Sequence, residues 1–376
     1  MRVGINALYM LPGRVGGTET YLRGLLYGLS RVDSENEYVL FTNRENHGAL
    51  HVPADGFRKV LCDVAAERKV LRIAFEQAIL PWYVKRYGIE VLHSPGYVLP
   101  LGARCAHAVT IHDMQYAYYP GNFERARLLY WKHFVPLSAR KSAVVITVSS
   151  SSRDDIVNLL GVPEEKVVVT YEASKFSMNG FGLAMPDETV LMKHGLGEGY
   201  ILSVASLLPH KNLDRLIEAF SLLAHRTESR LVLVGIKGSA LHAVRGAIRG
   251  RALGRVHLMG HVSDAELSAL YRNAGAFVLP SLFEGFGIPL LEAMSLGCPV
   301  AASHRTAIPE IVGGAGALFD PEDPEAIAGA IQRILSDKGV RDDYIKKGFE
   351  RAGKFSWDKM AVETVGAYRT AYESRG

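Results

Sequence analysis

The sequence has little sulfur, no long apolar run and no strong excess of charge of either sign. Cysteine occurs three times in 376 residues, at Cys62, Cys105 and Cys298, never in C-x-x-C spacing. That scatter argues against a disulfide framework or a cysteine-bound zinc, and a reducing cytoplasm is the expectation. No run of about 18 apolar residues occurs, so no bilayer-spanning helix is expected. The opening MRVGINALYMLPG has one arginine and then a Gly/Pro break. It reads as a first strand and turn rather than a signal peptide. Lys and Arg total 43 against 39 Asp and Glu, a net charge of +4. A balance this mildly basic suits phosphorylated ligands or an anionic membrane surface and does not by itself imply nucleic acid. There is no strict internal repeat and no low-complexity segment. What remains, 48% hydrophobic and 22% charged, is the balance of an ordinary globular protein long enough for two domains.

Short apolar runs alternate with longer helical patterns. In the first half, strands are expected at 2–7, 38–42, 58–62, 91–93, 108–112, 144–148 and 167–171. Several are continuous and rich in Val and Ile, as strands covered on both faces should be. Between the first two, Tyr21, Leu22, Leu25, Leu26 and Leu29 line one face of a helix over 20–30. The alternation predicts an α/β fold with a parallel sheet and helices on both faces. From 172 to about 199 the strand period fails in a Gly-rich stretch, so a domain boundary is placed there. A second series follows at 200–205, 231–234, 256–260, 276–279, 299–302 and 317–319, and the sequence closes on a helix over 357–372. The division expected is a first doubly wound domain over 1–172, a linker over 173–198, a second such domain over 199–356, and a closing helix over 357–376. Ligands of such folds bind outside the carboxyl ends of the strands. With two of them, the cleft between the domains is the natural site.

Four segments carry chemistry. The most informative is SLFEGFGIPLLEAMSLGCPVAAS, residues 281–303, entered from a strand. Gly285 and Gly287 let the backbone approach a ligand, Pro289 suits a helix start and Gly297 a helix end. Amides around Phe286, Gly287 and Ile288 would then point from a helix N-terminus, an anion site suited to a diphosphate. Glu284 precedes the turn, and Glu292 follows within about the first turn, so both carboxylates can accept from sugar hydroxyls. The bland alternative is an ordinary helix start with acidic residues near its dipole. In SVASLLPHKNLDRLIEAF, 203–220, Lys211 stands at a strand's carboxyl end, where it is either a charge for phosphate or a solvated surface lysine. In LPGRVGGTETYLRGLL, 11–26, Gly16 and Gly17 can bring amides to a ligand, and Thr18 is a candidate cap for the following helix. The run is not G-x-G-x-x-G, so a dinucleotide fingerprint is absent. In VTIHDMQYAYYP, 109–120, His112 and Asp113 lie where a strand meets a loop. A histidine there can donate to a sugar hydroxyl or hold a proton. Tyr116 and Tyr119 follow as acceptor-side candidates, with core packing as the competing use of such rings.

On these residues the chain resembles the retaining glycosyltransferases of family 4, which have the GT-B fold of two Rossmann-like domains. The resemblance spans almost the whole chain and is most specific over Glu284–Glu292. It includes Gly16-Gly17, His112-Asp113, the turn 209–212, and GHVSDAELSALYRNAGAFVLPS at 260–281. The His-Asp loop followed by Gln115, Tyr119 and Pro120 is most similar to members that transfer mannose in surface-polysaccharide assembly. The resemblance implies roles. Gly16 and Gly17 lie near the donor diphosphate, His112 touches the transferred sugar, and Lys211 binds the diphosphate. Glu284 holds sugar hydroxyls, amides of Phe286, Gly287 and Ile288 meet sugar or phosphate, Glu292 holds the ribose, and the segment around Val262 meets the base. Ser206 belongs to the same donor set. The closing helix would cross back to the first domain. One feature departs from the pattern. His210 stands where a second basic residue is usual, and Ala205 or Ser206 occupies the other usual arginine position.

The function expected is transfer of a hexose, mannose favoured, from a nucleotide-diphosphate sugar to a saccharide or lipid-linked saccharide. GDP-mannose is the favoured donor and a UDP-sugar the alternative. Neither metal nor cofactor is expected, because no Asp-x-Asp motif follows a strand and Lys211 with the amides can replace a cation. The rivals are a GT-B phosphorylase, a sugar-nucleotide epimerase, and a two-lobed sugar-binding protein without catalysis. Arg68, Lys69, Arg72, Lys85 and Arg86 beside Val70, Leu71, Ile73 and Phe75 form either a solvated helix face or a peripheral contact with the inner face of a membrane.

Overall fold

The computed structural model describes residues 1–52, 55–178, 185–236 and 254–374. By its contacts the chain forms two compact units, one of Met1–Glu172 with Ser356–Gly376 and one of Ala173–Phe355.

The first unit is built on a seven-stranded sheet in the order β3-β2-β1-β4-β5-β6-β7. Its strands are β1 (Arg2–Asn6), β2 (Glu37–Thr42), β3 (Phe57–Leu61), β4 (Val91–Ser94), β5 (Ala106–Thr110), β6 (Val144–Thr147) and β7 (Val167–Val169). Every neighbouring pair is parallel. Parallel neighbours require crossovers, and the amphipathic helices supply them while covering both faces. One face packs Val109, Ile111, Val145 and Ile156 into a common core. Leu8, Phe41, Val60 and Leu92 form another cluster. β5 starts and ends two residues earlier than the 108–112 expected. The buried strand tolerates His107 because its Nε2–H donates to the Ala103 carbonyl at 3.1 Å. His112 therefore stands beyond the strand, in the loop.

The helix Trp357–Glu373 packs on Gly17–Val32, within this first unit. The approach is close. A Cβ on Gly24 would lie 2.2 Å from a ring carbon of Trp357, and one on Gly28 would lie 2.2 Å from the Trp357 carbonyl oxygen.

The second unit carries a six-stranded parallel sheet in the order β10-β9-β8-β11-β12-β13. Its strands are β8 (Tyr200–Val204), β9 (Leu231–Val234), β10 (Val256–Met259), β11 (Ala274–Leu279), β12 (Val300–Ser303) and β13 (Gly316–Phe319). Leu213, Leu216, Ile217 and Phe220 of the helix Leu213–Leu223 pack on Ile201, Leu231 and Val278. The stretch expected as a linker is not bare connection. Residues 179–184 lie outside the described residues, but Asp187–His194 is a helix of this unit. Arg272 holds Asp187 at 2.5 Å, and Lys193 donates to Glu266 at 2.7 Å. The Lys193 bond leads a set of contacts that holds the Glu266 carboxyl down to about 2. Over residues 187–194 the strand period fails because the chain is helical there.

In each sheet the order reverses beside the unit's first strand, between β1 and β4 and between β8 and β11. The loops leaving these strands flank a topological switch point, the usual place for a ligand in an open α/β sheet.

Candidate active site

In the second unit the switch point explains which residues meet. Lys211 follows β8 and Glu284 follows β11, and these two strands are neighbours. Lys211 Nζ donates to both carboxylate oxygens of Glu284, at 2.7 and 2.9 Å. The side chains are 20% and 12% exposed, so the pair is largely desolvated yet reachable. Asn212 fixes the register between the two loops. It adopts φ 58°, and its Nδ2 donates to the carbonyls of Pro280 at 3.0 Å and Pro321 at 2.6 Å. Glu284 also accepts from Ser281 Oγ at 2.6 Å, and its amide donates to Thr306 Oγ1 at 3.0 Å. Sequence reasoning noted both charged residues but not that they hold each other.

The helix after Glu284 runs Ile288–Ser295. Gly287 precedes it at φ 110°, a conformation a side chain would strain. Pro289 has no N–H, and Leu290 donates back to the Gly287 carbonyl at 2.9 Å. At this helix start the Gly287 and Ile288 amides have no backbone acceptor among the described residues, Gly287 being buried and Ile288 half-buried. Phe286 is buried, its ring edge-on to Phe355 at 6.0 Å, which sets the turn.

Glu292 is buried on the same helix, where Tyr271 donates to its Oε2 at 3.0 Å. Lys175 Nζ lies 3.7 Å from its Oε1 and 2.5 Å from Asp264 Oδ1. Burial raises the Glu292 carboxyl above its ordinary range, against the pull of Lys175. Burial also opposes the Lys175 charge, but Glu292 and Asp264 outweigh it, and its pKa is raised. Lys175 was not singled out from the sequence. It lies in the stretch expected as a linker, with no local signal to mark it. Val262 is half-buried and Ser206 exposed, and neither has a side-chain hydrogen bond to Lys211 or Glu284 among the described residues. His210 is buried, and burial first, then Lys211, lowers its pKa to about 4. It is neutral at pH 7, so it adds no second positive charge beside Lys211.

In the first unit, Gly16 precedes the helix Gly17–Val32 at φ 60° and is its cap residue. The expected cap, Thr18, instead donates through Oγ1 to the Val15 carbonyl at 3.0 Å, one turn early. His112 is buried. Its Nε2–H donates to the Pro95 carbonyl at 3.0 Å, and Tyr21 meets its ring edge-on at 4.7 Å. Burial lowers the His112 pKa to about 4, so the ring is neutral. Asp113 accepts the Gln115 amide at 2.9 Å. Tyr116, expected as an acceptor-side ring, is 3% exposed and lies in the core with Trp131 edge-on at 5.8 Å. The helix turn Gln115–Tyr118 points it inward, so packing takes that ring, and Tyr119 is left half-buried. Glu172, at the end of this unit's main segment, was not anticipated. It is buried with its Oε1 3.9 Å from His112 Nδ1.

Among the described residues no helix is long and apolar enough to cross a membrane.

Comparison with known proteins bears on both units. Residues 15–173 match Glycosyltransferase Family 4, and residues 192–351 match Glycosyl transferases group 1. The O-antigen chain mannosyltransferase B of Escherichia coli is 34% identical over 295 residues, 77% of this chain and 76% of that protein. The serotype-specific mannosyltransferase WbdA of Escherichia coli is 31% identical over 67% of this chain, but the match spans only 30% of that longer protein. Among solved structures, the sucrose-phosphate synthase of Thermosynechococcus elongatus is similar over 100% of both chains, with a TM-score of 0.78 at 21% identity. The Anabaena protein HepE, solved with UDP and glucose, is similar over 98% of this chain and 100% of that one, with a TM-score of 0.74 at 19% identity. At such identities these structures speak for the GT-B fold. Taken with the two family matches and the 34% identical relative, they place the chain in glycosyltransferase family 4, as a GT-B glycosyltransferase.

Proposed function

We propose that the chain is a retaining mannosyltransferase that takes mannose from GDP-mannose and passes it to a saccharide or lipid-linked saccharide. The observation that carries this reading is the pairing of Lys211 with Glu284 beside the helix start whose Gly287 and Ile288 amides have no backbone acceptor among the described residues. A cation, amide donors and a carboxylate then stand together, which is what a sugar diphosphate needs. The mannosyltransferase relatives support the choice of sugar. Lys211 neutralises the leaving diphosphate as the anomeric bond breaks, and the fixed amides add stabilisation without reorganising. Glu284 releases part of its hold on Lys211 to accept sugar hydroxyls. Glu292 accepts from the ribose, and the segment around Val262 faces the base. The acceptor attacks from the departing face, with the leaving phosphate taking its proton. His112 contacts the sugar, and Gly16 and Gly17 offer amides to the diphosphate.

The test is a thermal-shift screen of GDP-, UDP-, ADP- and dTDP-sugars, followed by product analysis. A bound donor stabilises the fold by mass action, about 2.7 kcal/mol at one hundred times its Kd. GDP-mannose should give the largest shift and a retained anomer in the product. A larger shift with a UDP-sugar would replace the donor, and no shift with any of them would sink the reading. The reaction needs no metal, since Lys211 and the amides do a cation's work. Full activity in chelator is expected; loss in chelator with rescue by magnesium or manganese would overturn that part.

The enzyme works in the cytoplasm at the inner face of a membrane. Val70 at 79% exposure, with Leu71, Ile79 and Trp82, forms an exposed apolar face along Lys69–Ala78 and Leu80–Arg86. Arg68, Lys69, Lys85 and Arg86 flank it, suited to anionic headgroups. Co-sedimentation with phosphatidylglycerol vesicles but not phosphatidylcholine vesicles, lost on Trp82→Ser with Val70→Ser, is the expected result. Equal behaviour with both would remove this contact.

A further inference from the structure

His112 and Glu172 face each other across a gap that neither closes. A carbonyl can only accept, so the bond to Pro95 assigns the His112 proton to Nε2. In the neutral ring Nδ1 then presents a lone pair. That lone pair lies 3.9 Å from Glu172 Oε1, too far for a direct hydrogen bond. The gap suits one oxygen placed about 2.8 Å from each. Among the described residues, neither Nδ1 nor the Glu172 carboxyl has a hydrogen-bond partner. Neither group is among the described atoms that are sealed from solvent without a partner, so both stay reachable from outside. Both side chains are nearly buried, at 8% and 5% exposure. The edge of Tyr21 and the tilted ring of Tyr97, 5.4 Å away, keep the imidazole from turning to find another partner.

The surroundings fix which partner gives the proton. Burial, then the neighbouring Asp113, pushes the Glu172 carboxyl up to about 8, so at pH 7 it is mostly protonated. Tyr9 and Tyr21 also bear on it electrostatically, and burial pushes both phenols upward, so they stay neutral. His93, coupled to His112, is held by burial at about 3 and is neutral too. Asp113 is the charged neighbour that acts on Glu172. The gap therefore has one donor and one acceptor facing inward, the complement of an alcohol.

We propose that Glu172 and His112 form a hydroxyl-binding subsite of the first unit, in which Glu172 donates a hydrogen bond to one hydroxyl of the saccharide substrate and that hydroxyl donates a hydrogen bond to His112 Nδ1. The identity of the ligand as a saccharide rests on the transferase reading; the clamp itself rests on the two side chains. Its consequence is selectivity for a substrate with a hydroxyl at one position, and a loss of that grip when Glu172 ionises.

The experiment measures kcat/KM and KM between pH 6 and 9.5 for wild type, Glu172→Gln and Glu172→Ala, with thermal melts as a folding control. In the wild type, kcat/KM should fall as pH rises through about 8. Glu172→Gln keeps a donor that does not titrate, so it should stay within about threefold of wild type at pH 7 and lose the alkaline fall. Glu172→Ala should lose about tenfold at pH 7, mostly in KM. Single-deoxy substrates should locate the hydroxyl: only one should be handled equally by wild type and Glu172→Ala. An unchanged kcat/KM in Glu172→Ala, or an alkaline fall that survives in Glu172→Gln, overturns the clamp. So does an equal penalty for every deoxy substrate, which would mean that a structural water fills the gap. If the wild type transfers no sugar from any donor, the transferase reading fails instead. The clamp is then read from binding of methyl α-mannoside by NMR, where equal binding to wild type and Glu172→Ala overturns it.

Discussion

Lys211→Ala separates a structural lysine from a catalytic one. The variant leaves the Glu284 carboxylate with Ser281 Oγ as its remaining side-chain partner at 2.6 Å. Removing one partner of a buried pair costs about 3–5 kcal/mol, and of an exposed pair about 0–1. At 20% and 12% exposure the pair falls between, and about 2 kcal/mol of stability should be lost. That loss comes from the stranded charge, so Lys211→Ala with Glu284→Gln should recover most of it. The rate should behave otherwise. A positive charge on the leaving group contributes about 3 kcal/mol in the transition state, on the order of a hundredfold. The second substitution cannot restore it. Chemical denaturation of the single and double variants gives the first quantity, and single-turnover transfer at saturating donor gives the second. A rate near wild type in Lys211→Ala, or one that returns together with stability in the double variant, would refute the argument.

The two glutamates should fail differently. Glu284→Gln should lower the catalytic rate strongly with a modest change in donor affinity, whereas Glu292→Gln should mainly weaken the donor, because ribose contacts are alike in ground and transition states; calorimetry with single-turnover rates checks this, and the reverse pattern would misplace the donor. Burial holds His93 at about 3, below the 6.5 of a free imidazole. Its stabilising contribution is complete above pH 6.5 and is lost as pH falls toward 3, so His93→Gln should flatten acid destabilisation by up to about 1.4 kcal/mol per pH unit, read from melts between pH 7 and 4.5. Gly28→Ala should destabilise by about 1–3 kcal/mol, although alanine is the better helix former, because its Cβ would meet the Trp357 carbonyl oxygen at 2.2 Å; an unchanged or raised Tm would show that the two helices separate without cost.

The sheets could be read because their strands are buried on both faces. Runs such as Val144–Thr147 and Leu231–Val234 have no polar face to confuse the period. The meeting of Lys211 and Glu284 was half legible. Strand ends could be located, but that β8 and β11 are neighbours is a property of the topology and not of any local pattern. Lys175 was illegible for a plainer reason. Its partners Asp264 and Glu292 lie far along the sequence, and a lysine in Ala-Ser-Lys-Phe has no signal of its own. Glu172 is similar: nothing in Tyr-Glu-Ala reports that the carboxyl is enclosed. The aromatic run after His112 left two uses open, a ligand or the core, and the burial of Tyr116 puts that ring in the core.

The close fit of Trp357 against Gly24 also dictates an order of events during synthesis. The first unit is discontinuous in sequence, and the whole of Ala173–Phe355 must be made before its final helix exists. At about 5–20 residues per second, that wait is about 10–40 s. Throughout it, the glycine-lined groove of Gly17–Val32 is an apolar surface without its cover, and the Thr110–His93 network lacks the Tyr368 hydroxyl that later meets His93 at 2.7 Å. The unit translated first is thus the one that finishes last. A ribosome-stalled chain ending before Trp357 should engage trigger-type chaperones through that groove, and the completed chain should not.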